Sequence, residues 1–281
     1  MTLRTGDKGD AVKQLQRGLN RMGAMLLVDG DFRSSTRDAV VDARTVLKAP
    51  GPPEADDGLQ TAIASQPDPF PPLTAAGVTF IARAEVSSGT AYRTRFKNPC
   101  CPPAPSGITI GIGYDCQFVT AKQFTADWQD VLPPATIERL LPVLGRVGTP
   151  ALLEAVDDLE VPLFSAMSVF TRRTLPSCVS DVRSIYPQVD DLSEARRTVL
   201  ASLVYNRGPR LTDRDQRQDR REMRAIRDRL ASNDAAQIDG VADEFEAMTR
   251  LWDPAKAAGL IQRRRDEARL WREGFGALQL V

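Results

Sequence analysis

Glu85, Thr109 and Asp115 are the residues of this sequence whose types and spacing could do chemistry. Two carboxyl groups and a hydroxyl equip a site for acid–base hydrolysis. One carboxyl group gives a proton to a leaving oxygen, and the other, with the hydroxyl, holds or deprotonates a water. Glu85 closes the stretch VTFIARAE, where Val78, Ile81, Ala82 and Glu85 fall at i, i+3, i+4 and i+7, the period of an amphipathic helix. That spacing predicts a carboxylate on the inward stripe, and loss of hydration there favours the protonated form a general acid needs. Thr109 and Asp115 lie in SGITIGIGYD, which alternates: Ile108, Ile110, Ile112 and Tyr114 share one face, Thr109, Gly111, Gly113 and Asp115 the other. A straight strand would hold Thr109 and Asp115 about 20 Å apart. They can share a site only if the chain turns back, and Gly111 and Gly113 permit that turn.

Composition narrows what such a site could belong to. The chain has 281 residues, 42% hydrophobic and 26% charged, enough for one large or two modest domains. Its 37 basic and 37 acidic residues cancel, so no global field favours nucleic acid or an acidic membrane. No apolar run reaches the roughly 18 residues a membrane helix needs, so neither a nucleic-acid partner nor membrane insertion is expected. There is no histidine, which removes Ser-His-Asp and Cys-His nucleophilic systems and most catalytic zinc sites. No metal or organic cofactor is expected. Cys100, Cys101, Cys116 and Cys178 lack paired C-x-x-C spacing. Cys100 or Cys101 and Cys116 flank the glycine-rich stretch, which leaves a disulfide in an oxidising compartment and free thiols both open.

A glutamate closing a short helix, an aromatic-containing loop and then T-I-G-I-G resembles the catalytic core of phage-type lysozymes. In the commoner phage pattern an aspartate follows the glutamate by nine residues, where this chain has Thr94. In the pesticin-like branch the aspartate follows the threonine by six, and Asp115 stands there. The resemblance implies Glu85 as the acid, Asp115 as the second carboxylate and Thr109 as the group that helps hold water. Tyr92 and Tyr114 are the substrate-binding candidates beside them.

Residues 1–66 have a pattern of their own. Leu3, Gly6, Gly9, Val12, Leu15, Gln16 and Leu19 lead to Asp29-Gly30 with Phe32, then to Thr36, Ala39 and Val40. A second Asp57-Gly58 precedes Leu59, Ala62 and Ile63. Asp10 is placed to cap the first helix, and each Asp-Gly marks a turn. The segment resembles the three-helix peptidoglycan-binding module that accompanies many wall hydrolases, although Arg33 replaces the usual glycine after Phe32. QPDPFPPL then predicts a Pro-rich, extended linker over 67–75, ahead of a catalytic domain over 76–281. A binding module on such a linker would raise the local concentration of substrate.

Beyond Asp115 helices are expected throughout. Thr120 with Gln123 reads as a capping box, Pro133-Pro134 opens a helix over Ile137, Leu140, Leu141 and Leu144, and 161–170 reads as a buried helix. Ser193 and Gly208 bound another, whose ending L-V-Y-N-R-G resembles the lysozyme-family helix that turns a polar residue to the cleft; Asn206 is the candidate. The charged stretch 213–229, with Met223, Ile226 and Leu230 as its seam, predicts a solvated helix. Ile238, Val241, Phe245, Met248 and Trp252 predict core at helical spacing. GLIQRRRDEARLW resembles the family's closing helix, with Arg263 or Arg264 as the arginine that approaches the acid and Arg263 as a substrate-binding candidate.

The expected fold is mainly α with a small β-hairpin region: an N-terminal three-helix module and a lysozyme-like α+β catalytic domain. The expected activity is a muramidase, a glycoside hydrolase acting on peptidoglycan. The rivals are a lytic transglycosylase, which needs only the glutamate, and a non-catalytic wall-binding protein. The N-terminus MTLRTGDKGD lacks the apolar core of a secretory signal, so a monomer made in the cytoplasm and delivered to the wall by another route is expected. A phage lysin or an interbacterial toxin fits that route, the latter with an immunity protein or a secretion machine as partner.

Overall fold

The computed structural model describes residues 1–214 and 218–281 and is mainly helical with one small antiparallel sheet. The chain falls into two compact units, Met1–Leu175 and Pro176–Val281. The first contains α1 (Asp10–Arg21), α2 (Ser34–Val46), α3 (Asp57–Ala64), α4 (Ala75–Val86) and the short α5 (Gly89–Ala91), which runs on into a π-helical turn, Tyr92–Phe96. The hairpin follows as β1 (Thr109–Ile110) and β2 (Tyr114–Asp115), then α6 (Ala121–Trp128), α7 (Pro134–Leu140), α8 (Pro150–Glu154) and α9 (Leu163–Val169). From Leu175 the chain continues as α10 (Leu175–Ile185), α11 (Glu194–Arg207), α12 (Arg221–Ala231), α13 (Ala235–Asp239), α14 (Val241–Ala247) and α15 (Ala258–Glu273).

The three N-terminal helices form as the apolar spacing predicts, with Val12, Leu15, Leu19, Phe32, Val40, Leu59 and Ile63 buried between them. Gly9, at φ +110, takes the cap of α1, so Asp10 is its first helical residue rather than its cap. The first Asp-Gly turn is held from inside. Gly30 N donates to Gln16 Oε1 at 2.9 Å, and Gln16 Nε2 donates to Asp29 Oδ1 at 2.9 Å and Thr36 Oγ1 at 3.3 Å. Those bonds let a polar side chain sit 2% exposed without an unsatisfied group. Arg44 ties the Pro-rich loop that follows, donating to Ala49 O at 3.0 Å, Glu54 O at 2.8 Å and Asp56 Oδ2 at 2.6 Å.

The expected extended linker over 67–75 is corrected. Leu73 N donates to Phe70 O at 2.7 Å, a tight turn, and Leu73 is buried. Residues 1–66 lie directly against the helices that follow. Arg83 donates to Met25 O at 2.9 Å and Arg93 to Asp42 at 3.0 Å. Gly23 and Gly89 mark close approaches: a Cβ at Gly23 would lie 2.5 Å from Met167 Cβ, and one at Gly89 2.6 Å from Ala24 O. The division between compact units falls at Leu175.

In the second unit α15 packs on α11 and α14, and α14 packs on α12. Leu200, Leu203, Met223, Ile226, Phe245, Leu270 and Trp271 fill the space between them. Each such side chain contributes roughly 1.5–3 kcal/mol by leaving water. The single helical run expected over 238–252 is broken at Gly240, where α13 ends; Val241, Phe245 and Met248 are core, while Ile238 and Trp252 are only half-buried. Of the expected charged helix over 213–229, α12 carries 221–229, residues 213–214 and 218–220 are turn and irregular chain, and 215–217 lie outside the described residues.

Candidate active site

α4 is buried on nearly every side over its first two turns, from Ala75 to Ala82, and reaches the surface only at its end. Its apolar stripe is the expected one: Val78, Ile81 and Ala82 are fully buried, and Glu85, one turn further along, is half-buried. Ser87, at φ +66, ends the helix, and Ser88 Oγ accepts from Ala91 N at 3.0 Å to start the next turn. Glu85 is thus fixed by a rigid helix at the point where the chain changes direction.

The hairpin is built as its alternation predicts. Gly111 at φ +59 and Gly113 at φ +68 make the turn, a backbone region in which a side chain would be strained. Gly111 is also crowded, since a Cβ there would lie 3.2 Å from Trp128 and from Ala166. Ile108, Ile110, Ile112 and Tyr114 are buried beneath the hairpin, and Thr109 and Asp115 stay half-exposed on the other face. The register pairs Thr109 with Asp115 and Ile110 with Tyr114. Opposed residues in such a pair have their Cβ atoms about 4.5–5.5 Å apart, close enough for a hydroxyl and a carboxylate to share one water. Cys100 flanks Thr109 on its other side, the two backbones exchanging bonds of 2.9 and 2.8 Å.

Asp115 is anchored by one oxygen. Its Oδ1 accepts from Gly107 N at 3.0 Å and from Gln117 N at 2.9 Å, the second bond capping the 3₁₀ turn Cys116–Phe118. A Cβ on Gly107 would come within 2.8 Å of that oxygen, so the carboxylate depends on a glycine opposite it. Thr109 Oγ1 lies 3.5 Å from Gly107 O, a weak bond that leaves the hydroxyl able to take another partner.

Two candidates beside this pair are corrected. Tyr92 is fully buried and donates to Val161 O at 3.0 Å, and burial pushes its phenol well above its ordinary value. Tyr114 is 6% exposed, meets Trp128 edge-on at 5.3 Å between ring centres and donates to Asp127 Oδ2 at 2.8 Å. Both rings are core, because the inward phase of the alternation claims Tyr114 and the helical turn after α5 claims Tyr92. Neither offers a face to a sugar. The cysteines are free thiols. Burial pushes Cys116 up to about 12 and Cys178 up to about 12, so both stay protonated and unreactive at neutral pH.

Asn206 and Arg263 belong to the second unit. Asn206 is half-buried in the last turn of α11, before Gly208 at φ +72 ends the helix. Arg263 is 6% exposed and donates to Ser202 O at 2.9 Å and Ser202 Oγ at 3.0 Å, with Glu267 Oε1 at 3.4 Å. A side chain so enclosed is a positioning group rather than a sugar contact, which corrects its expected role. Arg264 is fully buried and bonds the same Glu267 oxygen at 2.7 Å. Sequence reading missed Glu267 and Ser202. The i+3 and i+4 spacing of Arg264 and Arg263 to Glu267 is the signal that could have found the carboxylate.

Among the described residues no group of three or more Cys, Asp or Glu is arranged to hold a metal ion, and no helix is long and apolar enough to cross a membrane. The chain matches no protein-family model, and no curated protein matches it at a significant level.

Proposed function

We propose that the chain is a muramidase, a glycoside hydrolase cleaving the β-1,4 bond between N-acetylmuramic acid and N-acetylglucosamine in bacterial peptidoglycan. The observation that carries this reading is the pairing of Thr109 with Asp115 across a glycine turn, in the same compact unit as a half-buried glutamate at a helix end. In the proposed reaction Glu85 protonates the glycosidic oxygen as the bond breaks. Asp115, held by Oδ1, uses its other oxygen to take a proton from water, and the Thr109 hydroxyl orients that water. A carboxyl separation of roughly 6.5–9.5 Å in the substrate complex would make the reaction inverting. Residues 1–66, seated against α4 and α5, would hold the wall beside this site. A phage lysin and an interbacterial toxin are the biological roles that suit the activity, and an immunity protein or a secretion machine is a partner that the toxin role alone requires.

One observation favours a second reading, a lytic transglycosylase. The two bonds to Asp115 Oδ1 are also what a purely structural cap would make, and a transglycosylase needs only Glu85. Clearing of purified sacculi by the full chain, followed by mass spectrometry of the released fragments, separates the possibilities. Reducing muramic acid ends support the hydrolase, anhydro ends the transglycosylase, and no release at all overturns both.

A further inference from the structure

The second unit gathers three largely enclosed arginines around one point. Arg207, Arg210 and Arg220 stand around a single carboxylate oxygen, Asp219 Oδ2, at 3.8, 3.8 and 3.7 Å. At those separations there is attraction but no hydrogen bond. The other Asp219 oxygen is already used, accepting from Arg214 N at 2.9 Å. The neighbouring carboxylates are committed elsewhere: Glu222 to Arg250 at 2.7 Å, and Asp213 to Arg224 at 2.9 Å and to Arg220 N at 2.7 Å. Among the described residues, the three guanidinium groups share one carboxylate oxygen that hydrogen-bonds none of them.

The donors tell the same story. Arg207 Nε, Arg220 Nε, Arg210 Nε and Arg210 Nη2 are buried and meet no acceptor among the described residues. Unmet charged donors are costly, and a planar fork of N–H groups matches oxygen pairs on an anion. The cluster is rigidly mounted. Arg220 is 3% exposed, its Nη2 donating to Arg207 O at 2.7 Å, and Arg207 lies over the Trp252 ring at 5.3 Å. Arg210, whose side chain is 39% exposed, is the member that faces solvent and can admit a ligand. The strain registers electrostatically as well. Burial, then repulsion from Arg220 and Arg264, lowers Arg207 to about 10, and a bound anion would relieve that.

We propose that Arg207, Arg210 and Arg220 form a binding site for an oxyanion, with Asp219 as an internal counter-charge that the ligand displaces. The shared chemistry is a group with at least two oxygens and one or two negative charges, supplied by a phosphate-bearing polymer or by the free carboxylate of a peptide. The site does not depend on the proposed muramidase activity.

The test titrates the full chain with inorganic phosphate and, separately, with N-acetyl-D-alanine. Thermal unfolding and calorimetry are read against sodium chloride at matched ionic strength. The wild type should show a saturable rise in Tm that chloride does not reproduce. Arg210→Gln, a change at a part-exposed position, should weaken binding about tenfold or more, the loss expected for a charge-assisted hydrogen bond. Asp219→Asn should tighten it, because the competing charge is gone while the oxygen that caps Arg214 remains. Arg269→Gln, at an exposed arginine paired with Glu273, should bind as the wild type does. Saturation by phosphate alone assigns the source to phosphate, by N-acetyl-D-alanine alone to a peptide carboxylate, and by both to the shared oxyanion chemistry. No saturable response to either, or equal responses in Arg210→Gln and Arg269→Gln, overturns the site.

Discussion

The two compact units fill their polar interior positions differently. In the first, Arg44 apart, buried polar side chains are neutral: Gln16 and Asn20 are each 2% exposed, and Thr36 and Thr79 are fully enclosed. Asn20 closes its own ring of bonds, donating to Leu26 O at 2.9 Å and accepting from Leu26 N at 2.7 Å. The second unit buries charges instead: Arg220, Glu222, Arg263, Arg264 and Glu267 are all under 7% exposed. A bonded amide costs little to enclose, whereas an enclosed charge is held only while its partners stay in place. The first unit is therefore a tolerant support for a half-exposed site. The second is a more conditional one, whose stability depends on the ionisation and pairing of its buried charges.

The sharpest way to break this comparison is at the chemistry itself. Glu85→Gln should lower wall hydrolysis by about 10²–10⁴-fold, the usual contribution of a general acid, in a turbidity assay on sacculi. Its Tm should barely move, because Glu85 lies at the helix end and not in the core. Near-normal clearing by this variant would remove the catalytic assignment from the first unit.

The next effect is in the second unit. Glu267→Leu takes away the oxygen that Arg264 bonds at 2.7 Å and Ser202 at 2.6 Å, and should cost about 3–5 kcal/mol in urea unfolding, because buried guanidinium donors lose that acceptor whichever way the carboxyl is protonated. A loss under about 1 kcal/mol would mean the arginines find other partners at little cost. Gln16→Leu, the matching change in the first unit, should cost less, about 1–3 kcal/mol, by leaving Gly30 N without its acceptor.

A change of pH should sharpen the contrast with opposite signs. Arg44, with the Leu59 N–H, holds the Asp56 carboxyl below its ordinary value. Its contribution is present above the ordinary carboxylate range and is lost as pH falls through the depressed value. Full burial holds the Glu267 carboxyl above its ordinary value, with Arg264, Arg263 and Ser202 pulling it only part of the way back. Its contribution is complete below the ordinary carboxylate range and is lost as pH rises through the raised value. Stability–pH profiles of Asp56→Asn and Glu267→Gln should flatten on opposite limbs, and flattening on the same limb would refute the assignment of signs.

Much of the local structure was legible in the residues. Thr120 caps α6, its hydroxyl accepting from Gln123 N, and Pro133 precedes α7, as turn and cap chemistry predicts. The alternation around Gly111 and Gly113 specified both the hairpin and the face each residue takes, since a two-residue period admits only one inward set. What could not be read was which groups the interior would enclose. Arg263 and Arg264 look like solvent-facing cations in one dimension, and Tyr92 and Tyr114 look like binding aromatics.

The sequence by itself determined the helices, the glycine turn and the pairing that follows from it, because these depend on neighbours within a few residues along the chain. Only the tertiary structure decided that residues 1–66 seat directly on the helices after them, that Asp115 is held by the amides of Gly107 and Gln117, and that three arginines converge on Asp219. These depend on contacts between distant segments, where burial and available partners fix the fate of a charge or a ring, and residue type alone does not carry that information.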